Sequence, residues 1–323
     1  MVESRPEVLV ELLRDERDRL PEQVSVVATI GVFDGVHLGH QKLFAVVREL
    51  AADNGGASAV VTFDRHPAHV VRPENAPKLL TTLEQKLELL DHQGLDYAYL
   101  VHFDESRAAT RAEEFVEQVF VDALHVRSIV VGEDFHFGKG RTGNVDELRR
   151  LGTGWGFAVR PVDLVRHRAD APEPVSSTAI RRALAGGDVA WAASMLGRPY
   201  EVRGRVEHGD RRGHLVGFPT ANIPVSKQMA WPADAVYAGW LTTAAGVRHP
   251  CAINIGRRPT FYEHAEQSLL EAHLLDFDGD LYDQDVRVEF VGFLRSEQRF
   301  EGIDALAAQL RLDVDRAREM LGV

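Results

Sequence analysis

Cysteine is nearly missing from this 323-residue sequence, with Cys251 the single example. One thiol excludes a disulfide framework and a cysteine-rich metal site, and it fits a reducing compartment. Long apolar runs are also missing: no stretch approaches the roughly 20 residues that a membrane helix needs. The opening Met1-Val-Glu-Ser-Arg-Pro-Glu-Val8 lacks the apolar core of a secretory signal. A cytoplasmic location without a membrane partner is therefore expected. Positive charge is in deficit, with 37 Lys and Arg against 49 Asp and Glu and a formal net charge of -12. Duplex nucleic acid wants a broad basic face, so nucleic acid is not an expected partner. A small anion needs only a local positive pocket. What is present, 45% apolar and 27% charged residues, is an ordinary globular composition on a chain long enough for two domains.

Periodicity divides the chain. In the first half, short apolar runs at Val26–Ile30, Ala57–Phe63, Tyr97–Val101, Ile129–Gly132 and Ala158–Val162 alternate with amphipathic stretches. The latter are Gln41–Ala52, Leu83–His92, Glu113–Ala123 and Val145–Leu151. Thr81-Thr-Leu-Glu84 and Thr110-Arg-Ala-Glu113 read as capping boxes opening two of these helices. The alternation predicts an α/β fold with a doubly wound parallel sheet, which binds ligands beyond the carboxyl ends of its strands. Near Gly186-Gly187 the character changes. From Tyr200 the runs shorten between crowded turn signals, at Glu201–Val206, Val236–Thr243, His249–Ile255, Leu269–Leu275 and Val286–Phe293. That is the rhythm of an antiparallel β-barrel or sandwich. Two closing helices, Ile303–Leu312 and Val314–Leu321, follow. Domains of 1–185 and 186–323 are expected.

Three stretches carry chemistry. Gly31-Val-Phe-Asp-Gly-Val-His-Leu-Gly-His40 sits where a strand hands over to a helix. His37 and His40 with Asp34 could ligate zinc, and a plain glycine-rich turn accounts for the glycines but not for both imidazoles. A phosphate cradle uses every residue: glycines allow close approach, the helix start aims N–H groups at an anion, and the imidazoles donate to phosphate oxygens. Val175-Ser-Ser-Thr-Ala-Ile-Arg181 sets hydroxyls at a second helix start with an arginine one turn later, as a helix cap or a second phosphate-binding element. Gly209-Asp-Arg-Arg-Gly-His-Leu-Val-Gly-Phe-Pro-Thr-Ala-Asn222 is not a Walker A loop. It reads either as a mobile hairpin or as a loop with cations for phosphate, followed by Thr220 and Asn222 pointing the same way toward one hard cation such as Mg²⁺. Glu271, flanked by leucines, is a carboxylate on a largely buried strand.

The first stretch looks like the HxGH signature of nucleotidylyltransferases, and Ser176-Ser-Thr-Ala-Ile-Arg181 resembles their second triphosphate-binding element. With Val61-Thr-Phe-Asp-Arg-His-Pro67, Leu80-Thr-Thr-Leu-Glu-Gln-Lys86 and Val131-Gly-Glu-Asp-Phe-His-Phe-Gly138, the first half is similar to the adenylyltransferase half of bacterial bifunctional riboflavin kinase/FAD synthetases. Gly-Phe-Pro-Thr-Ala-Asn222 matches the riboflavin kinase signature, and the match continues through Val236-Tyr-Ala238, Asn254-Ile-Gly256, Pro259-Thr-Phe261, Leu270–Phe277 and Leu294–Phe300. The resemblance implies a Rossmann-like nucleotidylyltransferase sheet followed by a barrel. It implies that riboflavin and ATP give FMN, that FMN and a second ATP give FAD, and that Mg²⁺ assists. His37 and His40 would be catalytic for adenylyl transfer, with Gly31, Phe33, Asp34, Gly39, Ser177, Thr178 and Arg181 on ATP. Phe63, His66, Asp134 and Phe135 would meet the flavin. In the kinase half Glu271 would be the base that takes the ribityl hydroxyl proton, and Thr220 and Asn222 the metal ligands. Gly209, Arg212 and Gly217 would meet phosphate, and Tyr237, Asn254 and Arg299 the flavin.

Departures from the family pattern fall at Arg65, where proline is usual, at His214 for arginine, at Ala235 for glycine, and at Arg257 or Arg258 for a smaller polar residue. Rival readings are the same fold with one half inactive or retuned to a flavin analogue, and a flavin- or nucleotide-binding regulator. A different nucleotidylyltransferase would leave residues 200–300 unexplained. A homo-oligomer stays open.

Overall fold

The computed structural model describes residues 10–15, 17–163, 173–208, 218–224, 226–257 and 268–323. The chain divides into two compact units, Met1–Val175 and Ser176–Val323.

The first unit is built on β2 (Val26–Ile30), a strand whose five residues are all buried. Such a strand must be covered on both faces, and its side chains divide accordingly. Val26, Ala28 and Ile30 join one apolar layer with Phe115, Phe120, Leu148 and Phe157, while Val27 joins the other with Phe44, Val47 and Leu90. Around β2 lie β1 (Glu11–Arg14), β3 (Ala57–Phe63), β4 (Tyr97–Val101), β5 (Val126–Gly132) and β8 (Ala158–Val162), all parallel in the order β1-β4-β3-β2-β5-β8. The chain winds outward from β2 through β3 to β4, then crosses back to β5. The order therefore reverses between β2 and β5, and the crevice at their carboxyl ends is where such sheets hold ligands. A two-stranded ribbon, β6 (His136–Phe137) with β7 (Gly143–Asn144), follows β5.

Helices α1 (Leu38–Asp53) and α3 (Leu83–Asp91) cover one face, and α6 (Val145–Trp155) belongs to the other. Between them run the short α2 (Pro67–Val71), α4 (Glu105–Ala109) and α5 (Ala112–Val116), the last continuing as a π-helix over Glu117–Ala123. Two start signals move. The capping box of α3 is Thr82 with Gln85, one residue later than expected, because the Thr81 hydroxyl is bonded to Asp34. The expected box at Thr110 does not form: Thr110 closes α4, whose own cap is Asp104, and α5 starts without a side-chain cap. Strand β1, unforeseen in a charged segment, is an edge strand. It is followed by the largely buried pair Asp15–Arg107 at 2.7 Å, with the Tyr99 hydroxyl donating to Asp15.

The second unit opens with α7 (Ser177–Ala185) and α8 (Val189–Leu196). The strands are β9 (Tyr200–Arg205), β10 (Ala221–Pro224), β11 (Ala235–Thr242), β12 (Arg248–Arg257), β13 (Ser268–Leu274) and β14 (Asp285–Ser296). All pairs are antiparallel in the order β10-β13-β12-β11-β14-β9, and a bridge between Glu207 and Asn222 brings the two ends together into a nearly closed barrel. The two expected closing helices are one, α9 (Ile303–Leu321). Asp313 does not break it, because its carboxylate is buried and takes the Arg295 guanidinium in a fork at 2.8–3.0 Å. Among the described residues no helix is long and apolar enough to cross a membrane.

Candidate active sites

The turn between β2 and α1 is held in unusual backbone. Phe33 and Val36 take positive φ of 50° and 41°, and Gly35 takes 84°. For a β-branched valine this is a strained conformation of the sort that concentrates at functional sites. Gly35 alone among the three glycines uses left-handed freedom. At Gly31 a Cβ would come within 2.9 Å of the Phe33 ring, and at Gly39 within 3.1 Å of the His37 ring, so those two are close-approach glycines. His37 caps α1, its Nδ1 accepting the His40 backbone N–H at 3.4 Å, which leaves any neutral-ring proton on Nε2. The His37 and His40 rings stack with centroids 3.5 Å apart, and Phe33 meets His40 edge-on at 5.0 Å. Burial first, then the nearby His37 and Lys86 charges, hold His40 well below the ordinary histidine value. Its buried Nδ1 has no hydrogen-bond partner among the described residues. The pair thus presents an uncharged His40 imidazole stacked on His37 at the start of a 16-residue helix. Among the described residues no three His, Cys, Asp or Glu side chains gather as metal ligands.

Asp34, expected on ATP, is held by the chain next to it. It is buried, and its oxygens accept the Leu80 and Thr81 N–H groups and the Thr81 hydroxyl at 2.9–3.2 Å. A carboxylate turned into backbone amides is a bracket joining the turn to the start of α3. Lys86 closes the Leu80–Lys86 stretch without a sequence signal for its role. The structure buries it one turn into α3, with Nζ donating to Phe63 O at 2.7 Å, Thr62 Oγ1 at 3.2 Å and Val32 O at 3.4 Å.

On the flavin side, Phe63 ends β3 and meets Phe103 edge-on. His66 caps α2 by accepting the Ala68 N–H. Exposed Asp134 and half-buried Phe135 lie in the turn after β5, with the Phe135 ring stacked on Phe137. Asp64 accepts the Phe103 N–H and bonds His102 at 2.7 Å, a pairing without a sequence signal because the partners lie on different strand ends. Arg65, at the first departure, pairs with Asp64 at 3.5 Å. All these groups sit at carboxyl ends of β2, β3, β4 or β5, apart from His66 one turn further on.

Ser177, Thr178 and Arg181 lie on α7, which clusters with the second unit. The cap is Ser176, whose Oγ accepts the Ala179 N–H at 3.1 Å, so Ser177 and Thr178 occupy the first turn.

The barrel aligns the kinase candidates across three neighbouring strands. Asn222 of β10 stands opposite Glu271 of β13, and Glu271 stands opposite Asn254 of β12. Directly opposed residues share a face, so amide, carboxylate and amide form one row. Strand alternation decides what is not in it. Val236 is the residue aligned with Asn254, so Tyr237 points the other way. Tyr237 was expected on the flavin; it is buried against Phe290 and Phe293 with its hydroxyl on Ala233 O at 2.6 Å, and burial pushes its pKa up to about 12. Thr220 precedes β10 and is half-buried, while Arg299 is exposed just past β14. His273, two residues after Glu271 and on its face, bonds Pro219 O at 2.8 Å and meets the Phe218 ring, pinning the entry to Thr220. Its signal was the period of two from Glu271. Ala235 is buried. Gly209, Arg212, Gly217, His214 and Arg258 lie outside the described residues.

Two family models match the chain, FAD synthetase over residues 20–179 and riboflavin kinase over residues 196–321. The bifunctional riboflavin kinase/FMN adenylyltransferase of Escherichia coli K12 is 38% identical, over 93% of this chain and 94% of the relative. The chain belongs to this family. The Pseudomonas fluorescens member is 39% identical over 96% of this chain and 98% of its own length. A solved structure from Streptococcus pneumoniae, titled a macrolide-efflux protein, shares the fold with a TM-score of 0.84 and 28% identity, covering 96% of this chain and 99% of that one. The FAD synthetase match ends at residue 179, inside α7 and before Arg181.

Proposed function

We propose that the stacked histidines of the first unit carry adenylyl transfer and the Asn222–Glu271–Asn254 row of the second carries the kinase reaction. As a member of its family the chain is an enzyme that uses ATP twice, phosphorylating riboflavin to FMN and then transferring AMP to FMN to give FAD and pyrophosphate.

In adenylyl transfer an FMN phosphate oxygen forms a bond to the α-phosphorus of ATP while the bond to pyrophosphate breaks. The nucleophile is already ionised, so the protein needs donors rather than a base. His37 and an uncharged His40 at the N-terminus of α1 meet that need, and the strained turn preorganises them. Phe63, His66, Asp134 and Phe135 are assigned to the flavin, and Ser177, Thr178 and Arg181 to the triphosphate, by their motifs. In the kinase step Glu271 takes the ribityl hydroxyl proton as that oxygen attacks the γ-phosphorus and ADP leaves. Arg299, Gly209, Arg212 and Gly217 keep flavin and phosphate roles by motif alone.

The donor set suits a hard divalent cation: a hydroxyl from Thr220 and an amide oxygen from Asn222, two residues apart in extended chain. Bound there, Mg²⁺ would neutralise charge on the transferring phosphate. The observation that carries the kinase reading is the cross-strand row, because it puts a carboxylate between two amides. The test is incubation with riboflavin, ATP and Mg²⁺ followed by chromatography. FMN passing on to FAD is expected; absence of both products sinks the assignment of the second unit, and FMN that never becomes FAD sinks that of the first.

A further inference from the structure

Lys86 is an ammonium with nowhere wet to go. It is 7% exposed, reaches from α3 under the carboxyl ends of β2 and β3, and finds two carbonyls and a hydroxyl. Burying a full charge is unfavourable, so a site that keeps one needs a use for it or a partner. No carboxylate is in ion-pair contact with it among the described residues. Asp34 and Asp64 are near enough to favour its charged form electrostatically, but Asp34 is turned to the Leu80 and Thr81 amides and Asp64 to Phe103 and His102.

We propose that Lys86 is a positioning residue for adenylyl transfer, tying the turn that carries His37 and His40 to the flavin-side end of β3 and setting a buried positive charge near His40. The tie is direct: Val32 belongs to the turn, and Thr62 and Phe63 to β3. The charge acts through His40. A cation near an imidazole opposes its protonation, and Lys86 and His37 are the two charged neighbours that do so here. His40 thus stays an uncharged donor, and the positive potential draws the ATP phosphates without putting an ammonium in contact with them. Burial lowers Lys86 itself to about 8, against the opposing pull of Asp34 and Asp64, so its charge is lost just above neutral pH.

This rests on His40 serving adenylyl transfer, and the tests separate the two ideas. In the full-length protein, Lys86→Met should lower FAD formation from FMN by about 10²-fold, mostly in kcat, because a displaced turn loses alignment. The acid limb of that reaction should move up toward about 6.5; the phosphate of FMN titrates equally in both proteins. Phosphorylation of riboflavin by the same molecules should not change, and cooperative thermal unfolding of the first unit, read separately, certifies folding. An unmoved acid limb, or an unchanged rate, overturns the proposal. A measurement on the wild type covers failure of the variant to fold: the His40 ring resonance should show a second step near pH 8 as Lys86 loses its proton. A flat resonance between about pH 7 and 9 overturns the proposal. His40→Ala with normal FAD formation would sink the reading of His40 instead.

Discussion

At the scale of single residues, His40 and Glu271 illustrate two ways of using burial. His40 is kept uncharged by burial and by its neighbours, so it can donate without carrying charge of its own. Removing a preorganised donor of this kind costs about 3–4 kcal/mol of barrier. His40→Ala should therefore abolish FAD formation while FMN formation stays near wild type; equal loss of both would refute independent sites. The same residue sets a pH dependence. In the unfolded chain it binds a proton near about pH 6.5, whereas in the fold it binds one only at lower pH. The unfolded state thus holds more protons below that point, and stability drops as pH falls from about 6.5 toward the folded value. Urea midpoints between pH 7 and 5 should fall less steeply for His40→Ala than for wild type. Glu271 works the other way, as a carboxylate aligned between two amides across neighbouring strands. A positioned base contributes about 10²- to 10⁴-fold, so Glu271→Gln should cut FMN production by that order. FAD synthesis from supplied FMN should persist, and a kinase rate within a few-fold of wild type would remove Glu271 from the mechanism.

At the scale of elements, α3 does more than cover the sheet. Its entry and first turn hold the histidine turn twice, through Asp34 on the Leu80 and Thr81 amides just before it and through Lys86 on Val32 O. Asp34→Ala would leave buried donors without acceptors, at about 1–3 kcal/mol each. Thermal unfolding should show the loss in the first unit, and Asp34→Asn, which keeps one acceptor oxygen, should lose less. Equal stability of the two variants would mean that charge, not acceptor count, holds the bracket. In the barrel the comparable element is β10, four residues long, which brings Asn222 to Glu271. Its brevity and its proline end hid it from hydropathy, although the extended spacing of Thr220 and Asn222 was readable.

At the scale of the whole molecule, two units with separate hydrophobic interiors follow from two periodicities in one chain. Helix α7 packs on α8, and the Ala233 N–H donates to Leu184 O, so the second unit extends back to Ser176. A fragment of residues 176–323 should fold alone and phosphorylate riboflavin, at a normal domain size. A fragment from Gly186 lacks α7 and should melt at lower temperature. Equal melting of the two would show that α7 adds nothing to the barrel. A chain ending at Val175 keeps both histidines but lacks Ser177, Thr178 and Arg181. Undiminished FAD formation by that truncated chain would remove those three from the triphosphate site.

The sequence by itself determined the parallel sheet, the barrel and the position of the histidine turn, because alternation, glycine spacing and motif order are local and repeat along the chain. Only the tertiary structure decided that Asp34 faces amides, that Tyr237 faces the barrel interior, and that Lys86 ties the histidine turn to the end of β3. Those outcomes depend on which strand end lies beside which, and on which way a period of two begins across a pairing register. A sequence names the residues on each strand; register and winding choose their neighbours.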